Sequence, residues 1–453
     1  MSLSVIILAA GQGTRMRSSK PKVLHQIGGK AMLQRVLDNA HSLKADHVHV
    51  VYGHGAEQVL ETIQDSDIKW VMQAEQLGTG HAVGQAMPGI ADDETVLILY
   101  GDVPLTRTKT LESLIEAAAS GVGLLTVILG DPTGYGRIIR NDSGQVLAIV
   151  EEKDASEEQK RIAEGNTGMM AVNGGLLRRW LSRLDNSNAQ AEYYLTDIIA
   201  MAVSDGVTVN AVQADSVIEV SGVNNRIQLA EMERALQRRH AEEAMTAGAT
   251  LADPARFDLR GELSVGEDAT IDINVVFEGK VSLGNGVSIG PNCYLKNATL
   301  ADDVHILANT VIEDAVIGAG SRIGPFARIR PDTELKGNNH IGNFVEIKKS
   351  IIGEGSKVNH LTYIGDTIMG RDVNIGAGTI TANYDGANKY QTIIEDNAST
   401  GSNSVLIAPV KVGKGATLGA ATVLRKEAAE GQLTMSMIKQ KTIEGWKRPV
   451  KKT

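Results

Sequence analysis

Gly11-Gln12-Gly13-Thr14-Arg15 follows directly on the apolar run Val5 to Ala10, and Lys20-Pro21-Lys22 comes a few residues later. Glycines after a strand let backbone N–H groups close on an anionic ligand. A Gly-x-Gly alone is equally a plain strand-to-loop turn. Arg15 and Lys22 favour the anion, because they stand where a triphosphate would need cations. A second apolar run, Val96 to Tyr100, ends in Gly101-Asp102-Val103-Pro104. A carboxylate at the C-terminal end of a strand, opposite a phosphate loop, is a natural Mg²⁺ ligand, since this hard cation takes oxygen donors and substrate phosphates. The bland alternative for Asp102 is a turn residue. Between these stretches, Gln73 and Gly78 offer an amide and a close backbone approach able to read a base.

A second constellation lies far downstream. Arg328, Arg330, Lys348 and Lys349 collect positive charge, and His360 follows in Lys357-Val358-Asn359-His360-Leu361-Thr362-Tyr363. Cations beside an imidazole suit a phosphate-bearing substrate held next to a general base.

Two kinds of scaffold must position these groups. In the N-terminal half, strand-like runs (Val5 to Ala10, Val48 to Gly53, Val96 to Tyr100) alternate with helical patterns such as Met32 to Leu43. That order predicts an α/β nucleotide-binding, Rossmann-like domain with a mostly parallel sheet and ligands at the carboxyl ends of its strands. From Asn225 to Thr246, Ile227, Leu229, Met232, Leu236 and Ala244 recur at helical spacing, an amphipathic connector. From Val265 to Leu424 the period is six, as in Ile317, Ile323, Ile329, Leu335, Ile341 and Ile347. Neither a helix nor a strand repeats at six; stacked hexads make a parallel β-helix, in which each aliphatic side chain sits above its equivalent one coil below. The period breaks between Thr379 and Gln391, where Asn383 to Lys389 is an inserted loop projecting from one edge. The expected domains are residues 1–226, a helical linker at 227–247, and 248–453.

With 453 residues, 48 glycines and only 4% aromatics, the chain has room for two or three domains, one of them rich in turns. A net charge of −9 argues against a general nucleic-acid binder. One cysteine, Cys293, excludes an intrachain disulfide framework and suits a reducing cytoplasm. No segment reaches the length of an apolar membrane span, and the basic stretch Lys447 to Thr453 reads as a solvated tail.

Leu8-Ala9-Ala10-Gly11-Gln12-Gly13-Thr14-Arg15-Met16 with Pro21-Lys22-Val23-Leu24 resembles the sugar-nucleotide pyrophosphorylases. Gln76-Leu77-Gly78-Thr79-Gly80-His81-Ala82, Tyr100-Gly101-Asp102-Val103-Pro104-Leu105 and the hexads behind them narrow the match. Over essentially its full length the chain resembles the bacterial bifunctional N-acetylglucosamine-1-phosphate uridyltransferases and glucosamine-1-phosphate N-acetyltransferases. The resemblance implies a left-handed β-helix, a homotrimer, a cytoplasmic setting, and a product, UDP-N-acetylglucosamine, that serves cell-wall and lipopolysaccharide synthesis. It also implies the sites. Leu8, Ala9, Ala10, Gly11, Gln73, Gly78, Thr79, Tyr100 and Gly101 would surround UTP, with Arg15 and Lys22 on its phosphates. Gly136, Glu151 and Asn166 would hold the sugar, and Asn224 would join Asp102 on Mg²⁺. In the second site, Arg330, Lys348, Tyr363, Asn374 and Lys389 would bind glucosamine 1-phosphate. Ala377, Asn383, Tyr384, Ser402 and Ala420 would line the path of the co-substrate acetyl-CoA, with His360 as base.

Three places depart from that family's pattern, one of them the unusual segment Arg425 to Met437. Thr400 stands where an aliphatic hexad residue is expected, and Met437, with Lys439 nearby, replaces an arginine near acetyl-CoA. The acetyl-CoA end is therefore expected to be less cationic and less tightly packed. Two rival readings remain: a uridyltransferase whose β-helix only assembles or regulates it, and a scaffold without catalysis. His360, Tyr363 and Asn374 oppose the first; Lys22, Asp102 and Asn224 oppose the second.

Overall fold

A computed structural model describes residues 2–11, 13–53, 57–437, 439–449 and 451. The chain divides into two compact units, Met1–Leu236 and Gln237–Thr453.

The strands of the first unit are β1 (Leu3–Leu8), β2 (Gln26–Ile27), β3 (Lys30–Ala31), β4 (His47–Tyr52), β5 (Ile68–Met72), β6 (Thr95–Tyr100), β7 (Val122–Ile128), β8 (Arg137–Arg140), β9 (Val146–Val150), β10 (Glu164–Asn173) and β11 (Val209–Gln213). Its main sheet runs β11-β7-β10-β6-β1-β4-β5, with β8 and β9 branching from β10. β1 pairs in parallel with β4 and β6, and β4 with β5. Their carboxyl ends therefore open on one edge. β1 is buried along almost its whole length because both of its faces are covered, which is why it reads as a continuous apolar run rather than an alternation. β10 departs from the expected parallel order: it runs antiparallel to β6 and β7. Helices α1 (Met32–Ser42), α2 (Glu57–Thr62), α3 (Thr79–Ala86), α4 (Thr108–Ala118), α5 (Gly174–Leu181) and α6 (Asp197–Ser204) complete the unit. The connector is a helix, α7 (Arg226–Thr246), that begins in one unit and ends in the other. It buries Met232, Leu236 and Ala244 as the spacing predicts, but Ile227 is 72% exposed.

In the second unit the strands form three parallel ladders. One carries Ile289, Ile306, Ile323, Ile341, Val358 and Ile375 in register. Another carries Ile317, Leu335, Ile352, Met369 and Ile394. The third carries Ile329, Ile347 and Ile364. All of these are buried, so the hexad register is the core of a parallel β-helix. Equivalent positions on successive coils lie 17 or 18 residues apart, and 25 apart across the inserted loop. The corners need left-handed backbone, which Asn and Asp accept most readily among residues with a side chain. Asn297, Asp314, Asp332 and Asp366 turn one corner, and Asn292 and Asn309 turn another. At that second corner the column continues through Phe326, Phe344 and Leu361, at φ 55°, 56° and 47°.

Candidate functional site

The ends of β1, β5 and β6 meet in a cavity of about 270 Å³. Leu8, Ala9, Ala10, Gly11, Lys22, Gln73, Gly78, Thr79, Tyr100 and Asp102 all line it. Backbone bonds set their alignment: Ala9 N–H donates to Val51 O (2.8 Å), Gly101 N–H to Leu8 O (2.9 Å) and Gln73 N–H to Tyr52 O (2.8 Å). Gly78 has φ +111°, and a Cβ there would lie 2.6 Å from Tyr193 O, so the sharp entry into α3 requires glycine. Gln73, a residue type usually found at the surface, is only 3% exposed. Gln12 of the glycine-rich loop lies outside the described residues.

A second cavity, about 470 Å³, shares Tyr100 and Asp102 with the first and extends to Arg15, Gly136, Glu151, Asn166 and Asn224. Asn166 is placed by its own N–H, which donates to Gly136 O (2.8 Å). Gly168 N–H donates to Asn166 Oδ1 (3.0 Å), and Tyr100 packs so closely over Gly168 that an added Cβ would stand 2.6 Å from its ring. Val223 N–H donates to Asp102 O (2.9 Å), bringing Asn224 beside the carboxylate although more than a hundred residues separate them. Lys22 Nζ contacts Asp102 Oδ2 and lies 3.2 Å from Asn224 Oδ1. A carboxylate oxygen and an amide oxygen thus converge on one cationic position, a donor set that fits Mg²⁺ completed by water and substrate phosphate.

Burial, then Glu151 and Asp102, push the Tyr100 hydroxyl above its ordinary range, so it stays an O–H donor. Burial also raises the Glu151 carboxyl; Asp197, Asp154 and Glu192 add to the rise, while the Thr196 hydroxyl, donating to Oε1 at 3.0 Å, opposes it.

Residue reasoning did not single out Glu192, which also lines the first cavity. Its segment docks on the start of α3, with Tyr193 N–H donating to Leu77 O and Gly80 N–H to Tyr193 O (both 2.8 Å). No local pattern announces such docking. Gln76, which reaches Ala10 O with its amide, had a signal in the motif that contains it.

In the β-helix, the residues expected around acetyl transfer fall into two columns. Gly378 N–H donates to His360 O (3.1 Å), Asn403 N–H to Ala377 O (2.7 Å) and Ala421 N–H to Ser402 O (2.8 Å). His360, Ala377, Ser402 and Ala420 therefore follow one another up a single corner. His360 is exposed, with Nδ1 3.4 Å from Asn343 Oδ1. Asn374 lies on the ladder leading into that corner, paired with Lys357 and Ser399. The other column holds Arg330, Lys348 and Gly365: Arg330 N–H donates to Ile347 O (2.9 Å), and Lys348 pairs with Gly365. The short strand Tyr363–Gly365 spans between the columns, so cations and imidazole border one face.

Lys389, from the inserted loop, comes against Lys348. It is the main cause lowering the Lys348 ammonium below its ordinary range, followed by burial and Arg330. Arg330, Lys348 and Lys389 thus gather three cations on one face; Glu346 lies 2.7 Å from Arg330 Nη1, and Asp366 partly offsets the charge on Lys348. The loop is a small hairpin closed by Asp385, whose carboxylate accepts from Ala387 N–H (2.8 Å), Asn388 N–H (2.7 Å) and Tyr390 OH (2.9 Å). Asn383 donates to Asp366, whereas Tyr384 is exposed and donates to Gly386 O of its own loop. Within one chain Tyr384 is thus not gathered with Ala377, Ser402 and Ala420.

The looser packing expected at Thr400 is not found. The side chain is buried in register with Ile375, and its Oγ1 accepts from Gly376 N–H (2.9 Å) and pairs with Thr379 Oγ1 (3.0 Å). Met437 is 88% exposed beyond the last solenoid strand, Leu433–Thr434. Of the basic tail, Val450, Lys452 and Thr453 lie outside the described residues, and the remainder is exposed.

A phosphate-binding α/β cleft joined in one chain to a hexapeptide solenoid with its own basic site defines a nucleotidyltransferase fused to an acyltransferase. Residues 5–163 match the MobA-like NTP transferase domain, 259–338 the GMPPB C-terminal domain and 391–426 the hexapeptide repeat of succinyl-transferase. The chain is 58% identical over 450 residues to the bifunctional protein GlmU of Marinobacter nauticus, covering 99% of each chain. It is 55% identical over 452 residues to the bifunctional protein GlmU of Chromobacterium violaceum, covering 100% of this chain and 99% of that one. The chain belongs to the GlmU family, bifunctional enzymes with a uridyltransferase domain and a hexapeptide acetyltransferase domain. Among the described residues no helix is long and apolar enough to cross a membrane.

Proposed function

We propose that the β-helix acetylates glucosamine 1-phosphate from acetyl-CoA, and that the α/β unit joins the product to UTP, releasing pyrophosphate and UDP-N-acetylglucosamine. The observation that carries the second step is the meeting of two cavities at Tyr100 and Asp102. A transfer between a nucleotide and a sugar phosphate needs both ligands to converge where the α-phosphorus reacts. The base and ribose take the cavity of Gln73, Gly78 and Thr79; the sugar takes that of Gly136, Glu151 and Asn166. The phosphate oxygen of the sugar is already a nucleophile, so the chain's work is positioning and charge neutralisation. Arg15 and Lys22 supply cations for the phosphates. Asp102 and Asn224 would hold Mg²⁺, which when bound neutralises charge on the phosphates.

In the solenoid, Arg330, Lys348 and Lys389 hold the phosphate of glucosamine 1-phosphate, with Tyr363 and Asn374 beside them. His360 takes a proton from the attacking amine. Acetyl-CoA runs along the corner of Ala377, Ser402 and Ala420, with Asn383 and Tyr384 brought to its side by the loop of a neighbouring chain. That corner also favours a homotrimer in which neighbouring chains share the site. Phe326, Phe344 and Leu361, three large apolar residues in left-handed backbone, stand exposed beside His360, the two rings stacked at 5.4 Å. Bulky residues in that conformation are uncommon, and strain of this kind clusters at functional sites. Buried Cys293 and the absence of any cysteine partner suit a cytoplasmic setting.

The test is one incubation with glucosamine 1-phosphate, acetyl-CoA, UTP and Mg²⁺, followed by mass analysis of the products. Asp102→Ala is expected to stop the reaction at N-acetylglucosamine 1-phosphate. Loss of both steps in that variant would mean misfolding rather than a metal site.

A further inference from the structure

Gln73 sits under the cavity with its amide nitrogen already engaged. Nε2 donates to Gly78 O (3.3 Å) and lies 3.1 Å from His81 Nδ1. His81 belongs to α3, and its other nitrogen, Nε2, is 3.1 Å from Nε2 of Gln85 one turn later, an exposed amide that is free to present its oxygen instead. An amide can present either its donor or its acceptor, so what matters is which end the surroundings fix. A carbonyl is an acceptor only, and Gly78 O therefore demands the NH₂ end of Gln73. The same NH₂ then needs an acceptor at His81 Nδ1, which leaves the proton of the neutral ring on Nε2, where the Gln85 amide oxygen can accept it by a simple flip. The series Gly78, Gln73, His81, Gln85 thus has one consistent polarity. Its result is that Oε1 of Gln73 is the end left to the cavity.

We propose that His81 is a positioning residue for base selection: by accepting from Gln73 Nε2 at 3.1 Å it holds the amide with Oε1 toward the nucleobase. This rests on the reading that the cavity takes the pyrimidine of UTP. An acceptor at that point suits a base with an N–H on its pairing edge, as uracil has at N3. It opposes cytosine, whose N3 is itself an acceptor. His81 touches no substrate. It acts by preventing the half-turn of the Gln73 amide that would offer NH₂ and admit CTP.

The experiment compares kcat/KM for UTP and CTP in the full-length protein and three variants. His81→Leu removes the acceptor and His81→Lys replaces it with a donor. His81→Asn keeps an acceptor, since Oδ1 occupies the place of Nδ1 along the side chain. One hydrogen bond's worth of preference corresponds to about a two- to tenfold change. The ratio of UTP to CTP is expected to fall by that factor in His81→Leu and further in His81→Lys, and to be kept in His81→Asn. A role in folding alone would lower the use of both nucleotides together and leave the ratio unmoved. Acetyl transfer by the same preparations reports whether the chain is intact. A ratio unchanged in both His81→Leu and His81→Lys overturns the proposal. A parent protein that uses CTP as well as UTP overturns instead the assignment of the cavity to uridine.

Discussion

His360 and Glu151 owe their expected behaviour to opposite surroundings. His360 stands in solvent at a corner, where a substrate amine can reach it. General-base contributions are about 10²- to 10⁴-fold, so His360→Ala should lower kcat for acetyl transfer by that order and leave uridyl transfer alone. A variant retaining most of its acetyl transfer would remove His360 from the mechanism. Glu151 is instead enclosed, with a carboxyl pushed upward by burial and by neighbouring acids. A carboxyl whose pKa rises on folding binds more protons folded than unfolded. Its contribution to stability is thus full below the unfolded value and is lost as pH rises through the folded one. Glu151→Gln should therefore raise Tm at pH 7, and the gain should vanish below about pH 4, the ordinary carboxylate range. Calorimetry across that interval measures it; a gain independent of pH would mean that charge is not the cause. Asp102 was legible in the sequence because a strand end and a phosphate loop bracket it. The environment of Glu151 was not, because Glu192, Thr196 and Asp197 reach it from a segment 40 or more residues further along the chain.

At the scale of elements, the six-residue period gave the coils their register almost to the residue, since each hexad aliphatic has one buried place to occupy. Thr400 shows where pattern stops being informative. By the hexad pattern Thr400→Val is an improvement. In the folded coil the hydroxyl accepts the Gly376 N–H and pairs with Thr379, so valine would strand polar groups in an enclosed corner. Leaving such groups unpaired costs about 1–3 kcal/mol. Thr400→Val should lower the stability of the solenoid by that amount in denaturant unfolding, and a stabilised variant would show that the pattern outranks the hydrogen bonds. In the α/β unit the strands were legible as apolar runs, but the direction of β10 was not. A strand covered on both faces looks the same to its own sequence whether its neighbours run with it or against it.

At the scale of the whole molecule, the exposed surface of the β-helix carries an apolar ladder that a lone chain does not use. Ile351, Ile368 and Ile393 stand in register on three successive coils and point outward, Ile368 remaining 43% exposed between buried Thr367 and Met369. Charged residues bound the row at its ends, Glu334 below and Lys411 above. Aliphatics in single surface positions are ordinary, but a stacked row flanked by charge suits a face of the kind that the proposed homotrimer would cover. The strained corner of Phe326, Phe344 and Leu361 beside His360 has the same character. In that proposed assembly a second copy would supply matching chemistry, since cyclic symmetry allows each chain to offer one such face and receive another. Tyr384, exposed on the inserted loop, would then serve a neighbour's corner rather than its own. Ile368→Asp places a charge in the middle of the row while leaving both sites of the chain intact. On the proposed homotrimer, light scattering should give a trimeric mass for the parent protein and a monomeric one for the variant, and acetyl transfer should fall with it while uridyl transfer per chain persists. A monomeric variant with full acetyl transfer would mean that each solenoid is complete alone, and that the exposed ladder serves some other purpose than building the site.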